Sequence, residues 1–158
     1  MKAIDNHALK DYITQAERAW LRVFDSGKPS HLHSPDGAPL RRLPRCWQSR
    51  QRIYAYFRRW WGPRLASHML CNLPIFVRQG CLYVAAYDVP PISLNVREVQ
   101  VVRERDGVIV VSTTLVGGFD EPWRVQHVLR RNPLDKRLMI VERSDPEDFR
   151  YRVPYLDE

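Results

Sequence analysis

Apolar residues recur at three-and-four spacing along the first stretch of the chain: Leu9, Tyr12, Ile13, Ala16, Trp20, Val23 and Phe24. That period places them on one face of a helix over about 5–24. Asp5 or Asn6 can cap its start by accepting orphan backbone N–H bonds, and Gly27 with Pro29 ends it. The next segment, 26–44, holds Gly27, Pro29, Pro35, Gly37, Pro39 and Pro44, and reads as an irregular loop. Helical spacing returns over 47–70, interrupted by Gly62-Pro63. There Ile53, Phe57, Trp60 and Trp61 turn together toward a core, whereas Arg52, Tyr56 and Arg59 fall at i, i+4 and i+7 on another side.

From Cys81 onward the period shortens to two and β-branched residues dominate. Five strands are predicted, over about 81–87, 96–104, 108–116, 123–130 and 137–143. Asp106-Gly107, between Val-rich runs, predicts a type I′ hairpin, because that turn needs positive φ at both central residues. Gly117-Gly118 and Asn132-Pro133 mark the next two reversals. In the tail, 144–158, Phe149, Tyr151, Val153 and Tyr155 alternate, which suits an edge strand or a segment wrapping the sheet. Helices first and a strand meander afterward predict one α+β domain over 1–158, with the helices on one face of a single antiparallel sheet of about five strands.

The order Gly80-Cys81-Leu82-Tyr83-Val84, Asp88, a Val-rich hairpin, Trp123 and Leu138-Met139-Ile140 follows an aromatic helix. Over about 53–142 this arrangement resembles the secreted bacterial inhibitors of cell-wall DL-endopeptidases. The resemblance implies a non-catalytic, inhibitory protein. The arrangement is more distantly similar to the cone-shaped nuclear-transport-factor-like domains, which implies a curved sheet and helices enclosing a pocket.

Charge sharpens the picture because of where it sits. Between Gly37 and Tyr87 there is no Asp or Glu, yet there are nine arginines and no lysine. That segment carries +9 in a chain of net charge +7, leaving −2 for all other residues. Such asymmetry favours an acidic protein or an anionic polymer as partner, with nucleic acid as a further alternative. Guanidinium groups match carboxylate and phosphate bidentately and stack on rings, so Arg52, Tyr56, Arg58 and Arg59 form the candidate contact. The competing reading is solvated charge on an amphipathic helix.

The candidate chemistry is sparse. His127 lies on a predicted strand face with Trp123, Val125 and Leu129, where it reads as a hydrogen-bonded core histidine or, in a pocketed fold, as a general base. Asp88 would supply its carboxylate if the sheet curls. His31, His33 and Asp36 are close in sequence, but a loop offers little to fix a metal ion, and no metal or cofactor is expected. Cys46, Cys71 and Cys81 form no CxxC pair and read as buried thiols. Neither HExxH nor a Gly-rich phosphate loop occurs. No run approaches the roughly 18 apolar residues of a membrane helix, and the N-terminal stretch lacks the apolar core of a secretion signal. The chain as written therefore predicts a cytoplasmic protein, exported only with a leader upstream.

Overall fold

The computed structural model describes residues 4–154. Its first element, α1 (Asn6–Phe24), is capped by Asp5, whose side chain accepts from the His7 N–H at 3.1 Å. Leu9, Ile13, Ala16, Trp20, Val23 and Phe24 are buried as their spacing predicts. Two strands follow, β1 (Lys28–His33) and β2 (Pro39–Arg42), then a 3₁₀ turn (Arg45–Trp47) and the helices α2 (Arg50–Phe57) and α3 (Pro63–Cys71). The remaining elements are β3 (Ile75–Arg78), β4 (Cys81–Ala85), β5 (Asn95–Arg105), β6 (Val108–Val116), β7 (Trp123–Arg131) and β8 (Leu138–Arg143). Among the described residues no helix is long and apolar enough to cross a membrane.

The α+β class stands, but the single five-stranded sheet is corrected. There are two four-stranded antiparallel sheets, ordered β1-β2-β4-β3 and β5-β6-β7-β8. Three features produce the difference. The segment 26–44 is a hairpin and not an irregular loop: Pro29 sits on the edge strand β1 and Pro39 begins β2, two places where a missing N–H costs no ladder bond. Its turn is closed by Ser34 N–H to the Ala38 carbonyl at 2.8 Å, with Gly37 at φ 90°. Next, β3 pairs with β4 through Gln79-Gly80, both at positive φ. Finally, the predicted strand 81–87 ends at Ala85, and the donor-poor 90–91 proline pair separates β4 from β5.

The predicted hairpin at Asp106-Gly107 forms, with φ of 53° and 77° and Arg105 opposite Val108. The helix expected over 47–61 is shorter. It stops at Phe57 because the chain at Trp60, Trp61 and Gly62 turns to dock on β8: the Ile140 N–H donates to the Trp60 carbonyl and the Gly62 N–H to the Ile140 carbonyl, each at 2.7 Å. The Tyr12 hydroxyl ties α1 to the same junction through the carbonyls of Leu138 (2.8 Å) and Trp60 (3.1 Å). Helices and the second sheet thereby share one core, in which Trp20, Phe57, Trp61, Met69, Ile109, Leu115, Leu129 and Ile140 are fully enclosed. Each such side chain contributes about 1.5–3 kcal/mol by leaving water. Leu40, Tyr83 and Ala85 form a smaller cluster in the first sheet.

The tail up to residue 154 contains no strand. It wraps, with Phe149 and Tyr151 against the core and Arg150 fully buried between them, while Val153 is exposed. Tyr155 lies outside the described residues. The buried-thiol expectation is also corrected: Cys46 and Cys71 are exposed and Cys81 is half-buried, because the 3₁₀ turn and the last turn of α3 present their cysteines to solvent.

Gly118 fixes the turn between β6 and β7 against the segment after the two prolines. A Cβ there would stand 2.3 Å from the Ile92 carbonyl carbon, and the Gly118 N–H donates to Ser93 Oγ at 3.1 Å. Gly118→Ala should therefore destabilise the fold by about 1–3 kcal/mol, as overpacking against backbone does. A melting curve checks this; an unchanged midpoint would mean that the contact is not binding the two segments together.

Candidate functional site

The four contact residues expected from the sequence divide between α2, which carries Arg52 and Tyr56, and the turn that follows it, which carries Arg58 and Arg59. Arg52 and Arg59 are exposed, and Tyr56 and Arg58 are half-buried. Ser49 caps α2 by accepting the Arg52 N–H at 3.1 Å, which orients the helix start. Phe57 is fully buried and Trp60 partly so, which is the separation of faces that their spacing predicts. The Arg59 guanidinium lies 5.3 Å from the Tyr56 ring centre, and Trp47 and Trp60 flank that ring at 5.3 and 5.2 Å. Arg58 is held in place: its Nη1 donates to the Trp61 carbonyl at 2.8 Å and contacts Met139 Sδ at 3.0 Å. Arg137, from the β7–β8 turn, joins Arg58 and Arg59 along one shallow cleft.

None of the nine arginines between 41 and 78 pairs with a carboxylate within 4.0 Å among the described residues. Their polar contacts go to carbonyls, sulfur or rings, as with Arg52 to the Arg45 carbonyl, Arg42 to Cys81 Sγ and Arg41 over Phe24. The nearest carboxylate along the cleft of Arg58, Arg59 and Arg137 is Asp135, which shares its lining without pairing within 4.0 Å.

The carboxylates are used elsewhere. His127 of β7 is fully buried, and the side chain facing it is Glu17 of α1, also fully buried. Asp88, weighed from sequence as its partner, is exposed in the segment after β4. Glu17 binds Arg143 bidentately, Oε1 to Nη2 at 2.7 Å and Oε2 to Nε at 3.1 Å, and accepts the Tyr151 hydroxyl at 2.9 Å. Arg150 donates to the Glu17 carbonyl at 2.6 Å and to Asp148 at 2.8 Å. Both guanidinium groups stack over Tyr151, at 4.5 and 4.7 Å. Two arginines balance two carboxylates. His127 is therefore held neutral, and burial lowers its pKa more strongly than the neighbouring Glu17 raises it. His127 Nε2 lies 3.6 Å from Glu17 Oε2, an electrostatic contact beyond hydrogen-bond length. The hydrogen bond of His127 is at its other ring nitrogen, Nδ1, 2.8 Å from Thr113 Oγ1.

With Trp61 centred 6.3 Å from the imidazole and no exposed edge, His127 has the surroundings of a core histidine. His31 and His33 are exposed on β1, while Asp36 is engaged by Ser34 and Tyr87 in the hairpin turn. Among the described residues no three His, Cys, Asp or Glu are grouped to hold a metal ion. The signal that sequence reading passed over is Glu17 itself, a carboxylate on the apolar face between Ile13, Ala16 and Trp20. The chain matches no protein-family model and no curated protein in sequence comparison.

Burial pushes the Glu17 carboxyl up, but Arg143, Arg150 and His127 outweigh it, and its pKa lies well below the usual range. Both Glu17 and His127 have depressed folded-state values, so each contributes stability that is present above its unfolded value and lost on acidification. The His127 contribution falls as pH drops below about 6.5, and that of Glu17 below about 4.5. Unfolding by urea across pH 8 to 3 should show a monotonic fall in two stages. Glu17→Gln leaves buried guanidinium charge uncompensated and should cost about 3–5 kcal/mol at pH 7. A cost under 1 kcal/mol would show that the cluster does not hold the fold.

Proposed function

We propose that this chain is a non-enzymatic binding module that engages an acidic protein or another anionic polymer through Arg52, Tyr56, Arg58 and Arg59. One observation carries the reading: the nine arginines between 41 and 78 have no carboxylate partner within 4.0 Å among the described residues, although the same chain compensates its buried arginines fully. Like charges left side by side repel, and an anionic partner removes that cost. The clustered rings of Trp47, Tyr56 and Trp60 supply apolar contact area beside the charge, so the surface suits recognition beyond simple attraction. The burial of His127 behind Trp61 also favours binding over catalysis in a pocket. Where the acidic partner is an enzyme, the module acts as its inhibitor, the role implied by the resemblance to the DL-endopeptidase inhibitors.

The test compares wild type with the double variant Arg52→Ala, Arg59→Ala, each titrated with fluorescent poly-L-glutamate and with a single-stranded DNA 20-mer at 50 and 200 mM salt. Wild type should bind polyglutamate with an affinity that falls as salt rises, and the variant at least fivefold more weakly. Its stability should change by less than about 0.5 kcal/mol, since both side chains are exposed. Equal affinities would leave the arginines as solvated charge. Tighter binding of DNA than of polyglutamate at matched charge would move the reading to nucleic acid.

A further inference from the structure

On another part of the molecule, the 90–93 segment, the β6–β7 turn and the corner after β8 enclose a cleft of about 310 Å³. We infer that this cleft is a binding site for a small organic cation whose charge is carried on a flat or alkylated group, such as an amidinium, guanidinium or substituted ammonium. Its volume lies at the low end of the range of about 300–1,000 Å³ typical of ligand sites, which suits a small ligand.

Its walls are pinned. Gly118 admits the Ile92 backbone to a distance that any side chain would forbid, so the turn and the proline segment form one rigid wall. Trp123 is exposed, and its indole N–H donates to Asp145 Oδ2 at 3.2 Å, which holds the ring across the mouth. Phe119, also exposed, stands 6.0 Å from it with the ring planes at 34°. Two large rings facing water beside Pro91 and Ile92 form an apolar surface already ordered before any ligand arrives.

Charge selects the sign of the ligand. Arg143 and Arg150 line the floor, but their side chains are 1% and 0% exposed and are taken up by Glu17 and Asp148. Arg152, the third arginine of the lining, is engaged in contacts of its own. Beside the two ring faces the lining carries the Asp145 and Glu147 carboxylates, and Asp145 also accepts the Trp123 indole N–H. Aromatic faces are negative, and a cation is drawn to them by about 0.5–2 kcal/mol, whereas an anion is repelled by rings and carboxylates alike.

Calorimetric titration with benzamidinium chloride, benzoate and benzyl alcohol at one ionic strength tests the assignment, since the three share a ring and differ in charge. Benzamidinium should bind saturably and at least tenfold more tightly than benzyl alcohol, with benzoate weakest. Trp123→Ala should abolish binding, Trp123→Phe should retain part of it, and Glu147→Gln should weaken it at least threefold. Both positions are exposed, and unchanged melting curves would separate loss of the site from loss of the fold. Benzoate binding as tightly as benzamidinium, equal affinity in the Glu147→Gln protein, or no saturable heat with benzamidinium would each overturn the inference.

Discussion

The Glu17 carboxylate is the point on which the rest of this structure depends. A carboxylate on the apolar face of a helix is tolerated only when its charge is met and its lone pairs are filled. Here Arg143 at the end of β8 and Tyr151 in the tail do both, and Arg150 anchors to the Glu17 backbone. The cluster thus ties the first helix to the end of β8 and the tail, more than 120 residues further along the chain. It explains why the tail wraps instead of adding a strand: Arg150 must reach inward between Phe149 and Tyr151, which an alternating strand would forbid. It also closes the floor of the cleft beneath Trp123, so that the arginines there serve the fold.

Much of the architecture was legible wherever local periodicity and tertiary packing agree. The α1 face, the alternation of Val125, His127 and Leu129, and the Asp106-Gly107 turn all follow from residue spacing and dihedral demands. The β1–β2 hairpin was obscured because its prolines read as loop punctuation, although Pro29 sits on an edge strand and Pro39 at a first position, with only Pro35 in the turn. The short β3 was hidden by its length, and the end of α2 at Phe57 follows from backbone bonds to β8 that no local pattern announces. Glu17 carried a readable signal, a charge on a buried stripe. Its partners Arg143 and Arg150 did not, because their burial arises from long-range packing. For the same reason the convergence of Arg137 with Arg58 and Arg59 lies beyond a reading of α2 alone.

Charge in this protein is divided into two populations under different rules. Inside, arginines and carboxylates are matched nearly atom for atom, because unpaired charge in a low-dielectric core is costly. Outside, the arginines of the 41–78 segment lie on β2, the 3₁₀ turn, α2 and the turn after it, α3 and β3, and among the described residues none pairs with a carboxylate within 4.0 Å. Solvent screens that surface well enough for folding, so stability alone does not require its arginines.

Chemical-shift mapping of the isotope-labelled protein during titration with poly-L-glutamate tests this division most directly. The account predicts saturable shifts at Arg52, Tyr56, Arg58 and Arg59 that shrink as salt is raised, while Glu17, His127 and Arg150 stay unmoved. Shifts centred on the buried cluster or on the Trp123 cleft, or none at the α2 face, would contradict it.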